Sequence, residues 1–195
     1  MHFSGLTATA LGLLPLLAAA SPLVAQPDSL VLRDVATREV ESFKNATLLG
    51  VDIFAPMPSD FTSLPDGLKK AEPGSKAFAW MRAQLDIDET TLSTPQKLAR
   101  RQVANIRITG FTGQGCSGTA YWSDPTNYNQ NIQSPGVTLF SFGIASRNMV
   151  GGEQLDFSRY SGSNPCGQFV TLKRGATVGC NGNIDGFSCW RLWRN

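Results

Sequence analysis

Residues 155–160 read LDFSRY, and this stretch shows the pattern that decides the fold. Leu155 and Phe157 alternate with polar residues, as in a strand that buries one face. Other short segments of strand character lie on either side of it, at residues 103–108, 118–122, 137–142, 168–173 and 189–193. Clusters of glycine, proline and asparagine separate them, at residues 113–118, 124–131, 151–152, 161–165 and 181–186. The pattern predicts an all-β domain, a small antiparallel sandwich or barrel.

The cysteines belong to this predicted domain. All four lie in the C-terminal half, at Cys116, Cys166, Cys180 and Cys189. Their spacing lacks the short Cys-to-Cys intervals of a zinc site, so we expect two disulfides formed in an oxidising compartment. Sequence alone leaves three possible pairings. A local Cys180–Cys189 bridge is one possibility, and Cys116–Cys180 together with Cys166–Cys189 is another.

A dibasic pair, Arg100-Arg101, marks the boundary before the β domain. A kexin-type protease requires two adjacent cations on an exposed, extended segment, and the proline of Ser93-Thr94-Pro95 disfavours helix just upstream. Lys69-Lys70 is a second such pair, but only Arg100-Arg101 coincides with a change in composition. We therefore predict cleavage by such a protease after Arg101 and a mature β domain of residues 102–195.

The start of the chain has the features of a secretion signal. Residues 11–20, LGLLPLLAAA, form an apolar run of signal-peptide length. A spanning helix needs roughly 20 apolar residues, so this run is too short to anchor the chain in a membrane. Small residues at Ala18 and Ala20 favour cleavage after residue 20, and residues 23–25 offer a second site. The sequence predicts a signal peptide over residues 1–20, a secreted product and no membrane anchor.

The intervening residues 21–101 are predicted to be a propeptide. From residue 26 onward they are rich in charge and proline, which limits the apolar area that a chain can bury. We expect a loosely structured segment that is partly helical, over residues 75–85 with Ser75 as the N-cap and over residues 35–43. These helices either dock on the product during folding or form transiently in a spacer. Asn45 begins a sequon for N-glycosylation.

Side-chain chemistry argues against most enzyme mechanisms in the product. The single histidine of the chain, His2, lies in the predicted signal peptide. Histidine-dependent triads, dyads and most metal sites therefore lack a required group. Glu153 and Asp156 would serve a two-carboxylate hydrolase, yet a strand period places them on opposite faces. We expect them to be solvated charges beside Arg159 or Arg147, and we expect neither enzyme activity nor a cofactor.

Aromatic side chains favour a binding role instead. Tyr121, Trp122 and Tyr128 frame a polar loop and are candidate ligand-binding residues, because exposed rings stack on sugars. Trp190 and Trp193 are predicted to be structural. The product is only slightly basic and has no cationic stripe interleaved with aromatics, so nucleic acid is not an expected partner.

Short segments in three parts of the chain together match a broader pattern. They are the AAASP end of the signal sequence, the Leu98-Ala99-Arg100-Arg101 junction, and the product's GCSG, FSF, LDFSRY and SCWRLW segments. This arrangement resembles fungal small secreted cysteine-containing proteins made as kexin-processed precursors. Residues 106–118 and 170–182 also resemble the glycine-containing hairpins of βγ-crystallin-like domains, a fold used by some killer toxins. The resemblance implies an extracellular effector-like or toxin-like protein without enzymatic activity.

These observations predict a non-enzymatic secreted interaction protein, either effector-like or antimicrobial. Its expected partner is an unknown extracellular protein or glycan. A small carbohydrate-binding module for cell-wall glycans is the alternative hypothesis. A carboxylate-based glycan hydrolase is a third.

Overall fold

Antiparallel strands make up most of the computed structural model, which describes residues 40–87, 106–123 and 128–194. A six-stranded sheet has the order β1-β2-β4-β3-β6-β9, and a four-stranded sheet has the order β5-β10-β7-β8. The elements are α1 (Glu41–Leu48), β1 (Thr62–Ser63), β2 (Leu68–Ala71), α2 (Lys76–Leu85), β3 (Arg107–Phe111), β4 (Ala120–Ser123), β5 (Ile132–Gln133), β6 (Leu139–Ala145), β7 (Glu153–Ser161), β8 (Asn164–Arg174), β9 (Gly179–Phe187) and β10 (Cys189–Arg194).

The two sheets pack together around an aromatic core. Phe142 and Phe187 come from the six-stranded sheet, Phe157 and Trp190 come from the four-stranded sheet, and all four are buried. The ring of Phe157 lies 4.7 Å from both Phe142 and Phe187 between centroids. Such contacts between rings stabilise a core beyond the burial of their area. The prediction of a disulfide-stapled antiparallel β domain is confirmed, and so is the structural role expected for Trp190.

Alternation in the sequence identified the buried face of β7 correctly. Leu155 and Phe157 are buried, whereas Gln154 and Asp156 are partly exposed. Strands overlap most of the predicted segments, which are residues 118–122, 137–142, 155–160, 168–173 and 189–193, although β4 begins only at Ala120 and β6 only at Leu139. The strand predicted from residue 103 appears as β3, and its first residues lie outside the described part of the chain.

Strand β9 occupies the region around residues 181–186, where the sequence predicts a turn, so that prediction is wrong. The strand contains Gly179, Gly182 and Gly186, and glycine has a low intrinsic preference for strands. Pairing with β6 holds β9 in the sheet, with register irregularities along the pair. Its second residue, Cys180, is also cross-linked to Cys116. Tertiary contacts therefore impose a conformation that the local sequence does not favour.

The disulfides are Cys116–Cys180 and Cys166–Cys189. This is one of the pairings that the sequence left open, and it excludes the local Cys180–Cys189 bridge. Paired cysteines are typical of an oxidising, extracellular setting. Within the described residues, neither helix combines the length and apolar character that crossing a bilayer requires.

Residues 40–87, called here the N-terminal layer, are folded against the β domain. Strand β2 pairs antiparallel with β4, so the layer supplies part of the six-stranded sheet. Helix α2 covers the outer face of that sheet, where its Met81 and Leu85 join a buried cluster with Phe111 and Trp122. The prediction of a loosely structured segment is wrong for these residues. Their apolar partners lie on distant strands, which local charge and proline content do not reveal.

Helix α2 confirms the helix predicted over residues 75–85. The hydroxyl of Ser75 accepts a hydrogen bond from the Phe78 amide at 3.1 Å, as expected of an N-cap. The carboxylate of Asp60 accepts from the first two helical amides, at 2.7 and 2.8 Å. Three amides that lack partners within the helix are thereby satisfied. The start of α2 is fixed both locally and by the preceding loop.

Helix α1 packs on α2 within the N-terminal layer. Phe43 and Ala46 of α1 form a buried cluster with Trp80 and Ala83 of α2. The helix predicted over residues 35–43 overlaps α1 only at its end, and its earlier residues lie outside the described part of the chain. The two helices therefore share a small core of their own on the outer side of the sheet.

Candidate functional site

The two sheets differ in what their outer faces present. The six-stranded sheet is covered on its outer side by the N-terminal layer. On the four-stranded sheet, Gln154, Asp156, Arg191 and Trp193 are partly exposed. Exposed aromatic and charged side chains on a rigid strand are better placed for recognition than side chains beneath a helix. The four-stranded sheet therefore carries the candidate site.

A buried carboxylate lies at the start of β7. Glu153 has a fully buried side chain, and its two oxygens accept hydrogen bonds from Arg147 at 2.7 and 2.9 Å. The backbone amide of Val150 donates to the same carboxylate at 2.8 Å. The hydroxyl of Tyr128 also donates to it in a short hydrogen bond. These donors compensate the carboxylate for its loss of water.

The environment of Glu153 favours its ionised form. Burial by itself raises the pKa of the carboxyl. The hydrogen bonds from Arg147, Tyr128 and the Val150 amide outweigh burial and lower the pKa to about 2. The same pairing raises the pKa of Arg147. Glu153 is therefore a charged structural group at neutral pH, and the expectation of a solvated charge is wrong.

A second carboxylate contacts an aromatic ring on the neighbouring strand. The indole N–H of Trp193 donates a short hydrogen bond to Asp156. The guanidinium carbon of Arg191 lies 3.6 Å from the centre of the Trp193 ring, a cation–π contact. Arg191 also lies 3.9 Å from Asp156 between Nη2 and Oδ2. These three side chains hold one another in place on the outer face.

Strand β10 places one arginine opposite each carboxylate. Arg194 lies opposite Glu153 in the pairing of β10 with β7, and Arg191 lies opposite Asp156. The guanidinium carbon of Arg194 is 5.9 Å from the centre of the Tyr128 ring. We call the whole set the arginine–aromatic cluster; its members are Tyr128, Arg147, Glu153, Asp156, Arg191, Trp193 and Arg194.

The two carboxylates of this cluster are not arranged as an acid–base pair. A general acid must hold a proton near neutral pH, and a pKa of about 2 leaves Glu153 ionised. Asp156 belongs to the opposite, partly exposed side of β7, as the strand period predicts. Each carboxylate is engaged by an arginine on its own side of the strand. The two do not form a pair facing one substrate.

The structure separates the three predicted ligand-binding residues. Tyr121 is buried in the core between the sheets, and burial raises the pKa of its hydroxyl. Trp122 is buried on the other side of β4, beneath the N-terminal layer. Neither ring has a face open to a ligand. Tyr128 is 38% exposed and belongs to the arginine–aromatic cluster.

The predicted processing and modification residues are placed differently. Arg100 and Arg101 lie outside the described residues. Asn45 lies on the exposed side of α1, within the predicted sequon. The four cysteines all form the disulfides described above.

The contacts of the arginines with these aromatic residues depend on tertiary structure. Arg147 and Glu153 flank the Gly151-Gly152 turn, and that turn returns the chain so that Glu153 meets Arg147. The sequence predicts a structural role for Trp193, and the structure shows its ring partly exposed and stacked with Arg191. An alternation of tryptophan with arginine at the end of the chain was the available signal.

Comparisons with known protein families, curated proteins and solved structures find no match. Across residues 40–87, 106–123 and 128–194, no group of three or more His, Cys, Asp or Glu side chains is arranged to hold a metal ion.

Proposed function

We propose that this chain is the precursor of a secreted, non-enzymatic interaction protein, effector-like or antimicrobial. A signal peptide over residues 1–20 directs export, and a kexin-type protease cleaves after Arg101. The β domain of residues 102–195 then binds an extracellular partner through the arginine–aromatic cluster. The observation that carries this proposal is the stacking of Arg191 on the partly exposed ring of Trp193.

The composition of the cluster supports a binding role. Tryptophan, tyrosine and arginine dominate the energetically important residues of protein interfaces. Arg191 stacks on Trp193, and the Trp193 indole is hydrogen-bonded to Asp156. These contacts hold both side chains in place before binding, so less conformational entropy is lost when a partner binds. Arg194 adds an exposed cation beside Tyr128. These features favour a partner with acidic groups, such as an anionic surface of an extracellular protein.

The test compares single substitutions within and outside the cluster. Labelled protein is applied to microbial and plant cells, and both bound protein and cell viability are measured. We expect Trp193→Ala and Arg194→Ala each to reduce binding by about tenfold or more. Phe140→Ala is the control for Tyr128→Ala, because each substitution removes an aromatic ring of similar exposure. Phe140 lies on the other sheet and is 39% exposed, and Tyr128 is 38% exposed.

Two results would contradict the proposal. One is cell binding that survives all the cluster substitutions unchanged. The other is turnover of a polysaccharide that depends on Glu153 or Asp156, since this would show catalysis. Circular dichroism of each variant identifies any loss of binding that comes from unfolding.

A carbohydrate-binding module is the second candidate. Tyr128 and Trp193 offer partly exposed rings beside arginine donors, a combination that suits stacking on sugars. Retention on chitin, glucan or cellulose that is lost in both Tyr128→Ala and Trp193→Ala would favour this function. Trp122→Ala is unsuitable as a test, because Trp122 is buried beneath the N-terminal layer and its loss would disturb folding.

A further inference from the structure

We propose that the N-terminal layer, residues 40–87, stays bound to the β domain as a separate polypeptide after cleavage at Arg100-Arg101. This inference rests on the proposed processing. The surface involved is the outer face of the six-stranded sheet together with the edge of β4. Its partner is a named segment of the same chain, and the product is a non-covalent complex of two chains.

The layer contributes to the core between the two sheets. Leu68 of β2 is only 2% exposed and belongs to the same buried cluster as Phe142, Phe157 and Trp190. That cluster is the main core of the β domain. Departure of the layer would therefore leave a cavity at Leu68, and cavities of this kind are strongly destabilising.

Backbone hydrogen bonding also joins the layer to the β domain. Strand β2 lies between β1 and β4, and residues Leu68 to Ala71 pair in register with Ser123 to Ala120. Beyond the strand, the hydroxyl of Thr119 donates to Glu72 at 2.6 Å. Removal of the layer would expose the backbone groups along one side of β4.

Helix α2 fits closely on the outer face of the sheet. A Cβ atom at Gly143 would lie 2.5 Å from Leu85 Cδ1, so the glycine allows the helix to approach. The Thr109 hydroxyl donates to Met81 Sδ at 3.3 Å. Arg107 lies 5.1 Å from the centre of the Trp80 ring. Close packing of this kind is typical of stable interfaces, whose packing density matches that of protein interiors.

Covalent bonds do not hold the layer after processing. Both disulfides join residues between Cys116 and Cys189, so neither reaches residues 40–87. After a cut at Arg101, the contacts described above between the two polypeptides are all non-covalent. The proposal is therefore decided by measuring whether they separate.

A second dibasic pair provides an internal reporter. Lys69 and Lys70 lie in β2, paired with β1 on one side and β4 on the other. A protease that needs an extended strand in its own active site cannot engage them while the layer is bound. Prolonged digestion should cut after Arg101 and leave Lys69-Lys70 intact.

The experiment uses the full secreted chain, cleaved in vitro by a kexin-type protease. If Arg100-Arg101 resists, a site-specific protease sequence replaces residues 98–101. We expect two polypeptides on a denaturing, non-reducing gel but one species by native mass spectrometry at about 1 µM. Separate elution of residues 102–195 at that concentration, or cutting after Lys70 as fast as after Arg101, would overturn the proposal.

Two leucines of the layer form a matched pair of variants. Leu68→Ala should weaken the complex by about 30- to 4,000-fold, because Leu68 lies in the core. Leu48→Ala should leave it unchanged, because Leu48 is 83% exposed on α1. Glu72→Ala serves if Leu68→Ala fails to fold, because it removes the acceptor of the Thr119 hydrogen bond, with an expected loss of about two- to tenfold. Equal affinity in all these variants would contradict the interface.

Processing itself is tested separately. Mass spectrometry of the naturally secreted protein should find Gln102 at the N-terminus of the β domain. An uncut chain would remove the proposed processing while leaving the in vitro measurement of the interface valid. If cleavage occurs in vivo but the two polypeptides dissociate in vitro, processing stands and only the proposal that the layer stays bound is contradicted.

Discussion

Replacement of Glu153 by glutamine should make the protein's stability less sensitive to acid. In the folded chain, burial raises the pKa of Glu153, but Arg147, Tyr128 and the Val150 amide bring it to about 2, below the ordinary value of 4.5. This difference corresponds to about 3 kcal/mol of folding free energy. The folded state binds the proton more weakly than the unfolded state, so this contribution is complete above about pH 5 and is lost as pH falls toward about 2.

The measurement is urea unfolding at a series of pH values from about 7 to about 2. Wild-type protein should lose about 3 kcal/mol more than Glu153→Gln across the acidic part of this range. At neutral pH the variant should be less stable by a similar amount, because Arg147 then lacks its carboxylate.

Asp185→Asn is the matched control. Its side chain is 99% exposed and its nearest contact with Arg159 is as long as 4.0 Å, so the substitution should leave the free energy of unfolding nearly unchanged. Stability curves for wild type and Glu153→Gln that run parallel from neutral to acid would refute the assigned role of the Arg147–Glu153 pair.

Two further substitutions test the packing and the cross-links. Gly143→Ala should cost about 1–3 kcal/mol in chemical unfolding, since its Cβ would lie 2.5 Å from Leu85. Gly151→Ala meets no atom within 4 Å and should cost less. Removing the Cys116–Cys180 disulfide by paired alanines should cost about 4 kcal/mol for its separation of 64 residues. Removing the other disulfide, with a separation of 23 residues, should cost about 3 kcal/mol, and the reverse order would contradict this explanation.

The sequence predicted β7 because one face of that strand is buried. In β7, Leu155 and Phe157 alternate with polar residues, and this alternation indicates one buried face. In β4, Tyr121 and Trp122 are adjacent and both buried, because the six-stranded sheet is covered on its two faces. Consecutive apolar residues are typical of a strand with two buried faces. The same pair was interpreted as an exposed binding surface because its cover lies far away in sequence.

The arginine–aromatic cluster was only partly predictable. Tyr128 was identified as a candidate from its polar surroundings, and the opposite orientation of Glu153 and Asp156 followed from strand geometry. The burial of Glu153 depends on the turn that brings Arg147 to it, and the stacking of Trp193 depends on the pairing of β10 with β7. Such contacts form only in the folded tertiary structure, so local residue patterns do not predict them.

The position of β2 has a consequence for self-association. Without it, β4 would present an unpaired, apolar edge, and such edges act as templates for aggregation. The chain instead ends that sheet with β1, a strand of only two exposed residues, Thr62 and Ser63. A short polar edge offers little backbone for another molecule to extend. The N-terminal layer thus also limits polymerisation through this edge of the six-stranded sheet.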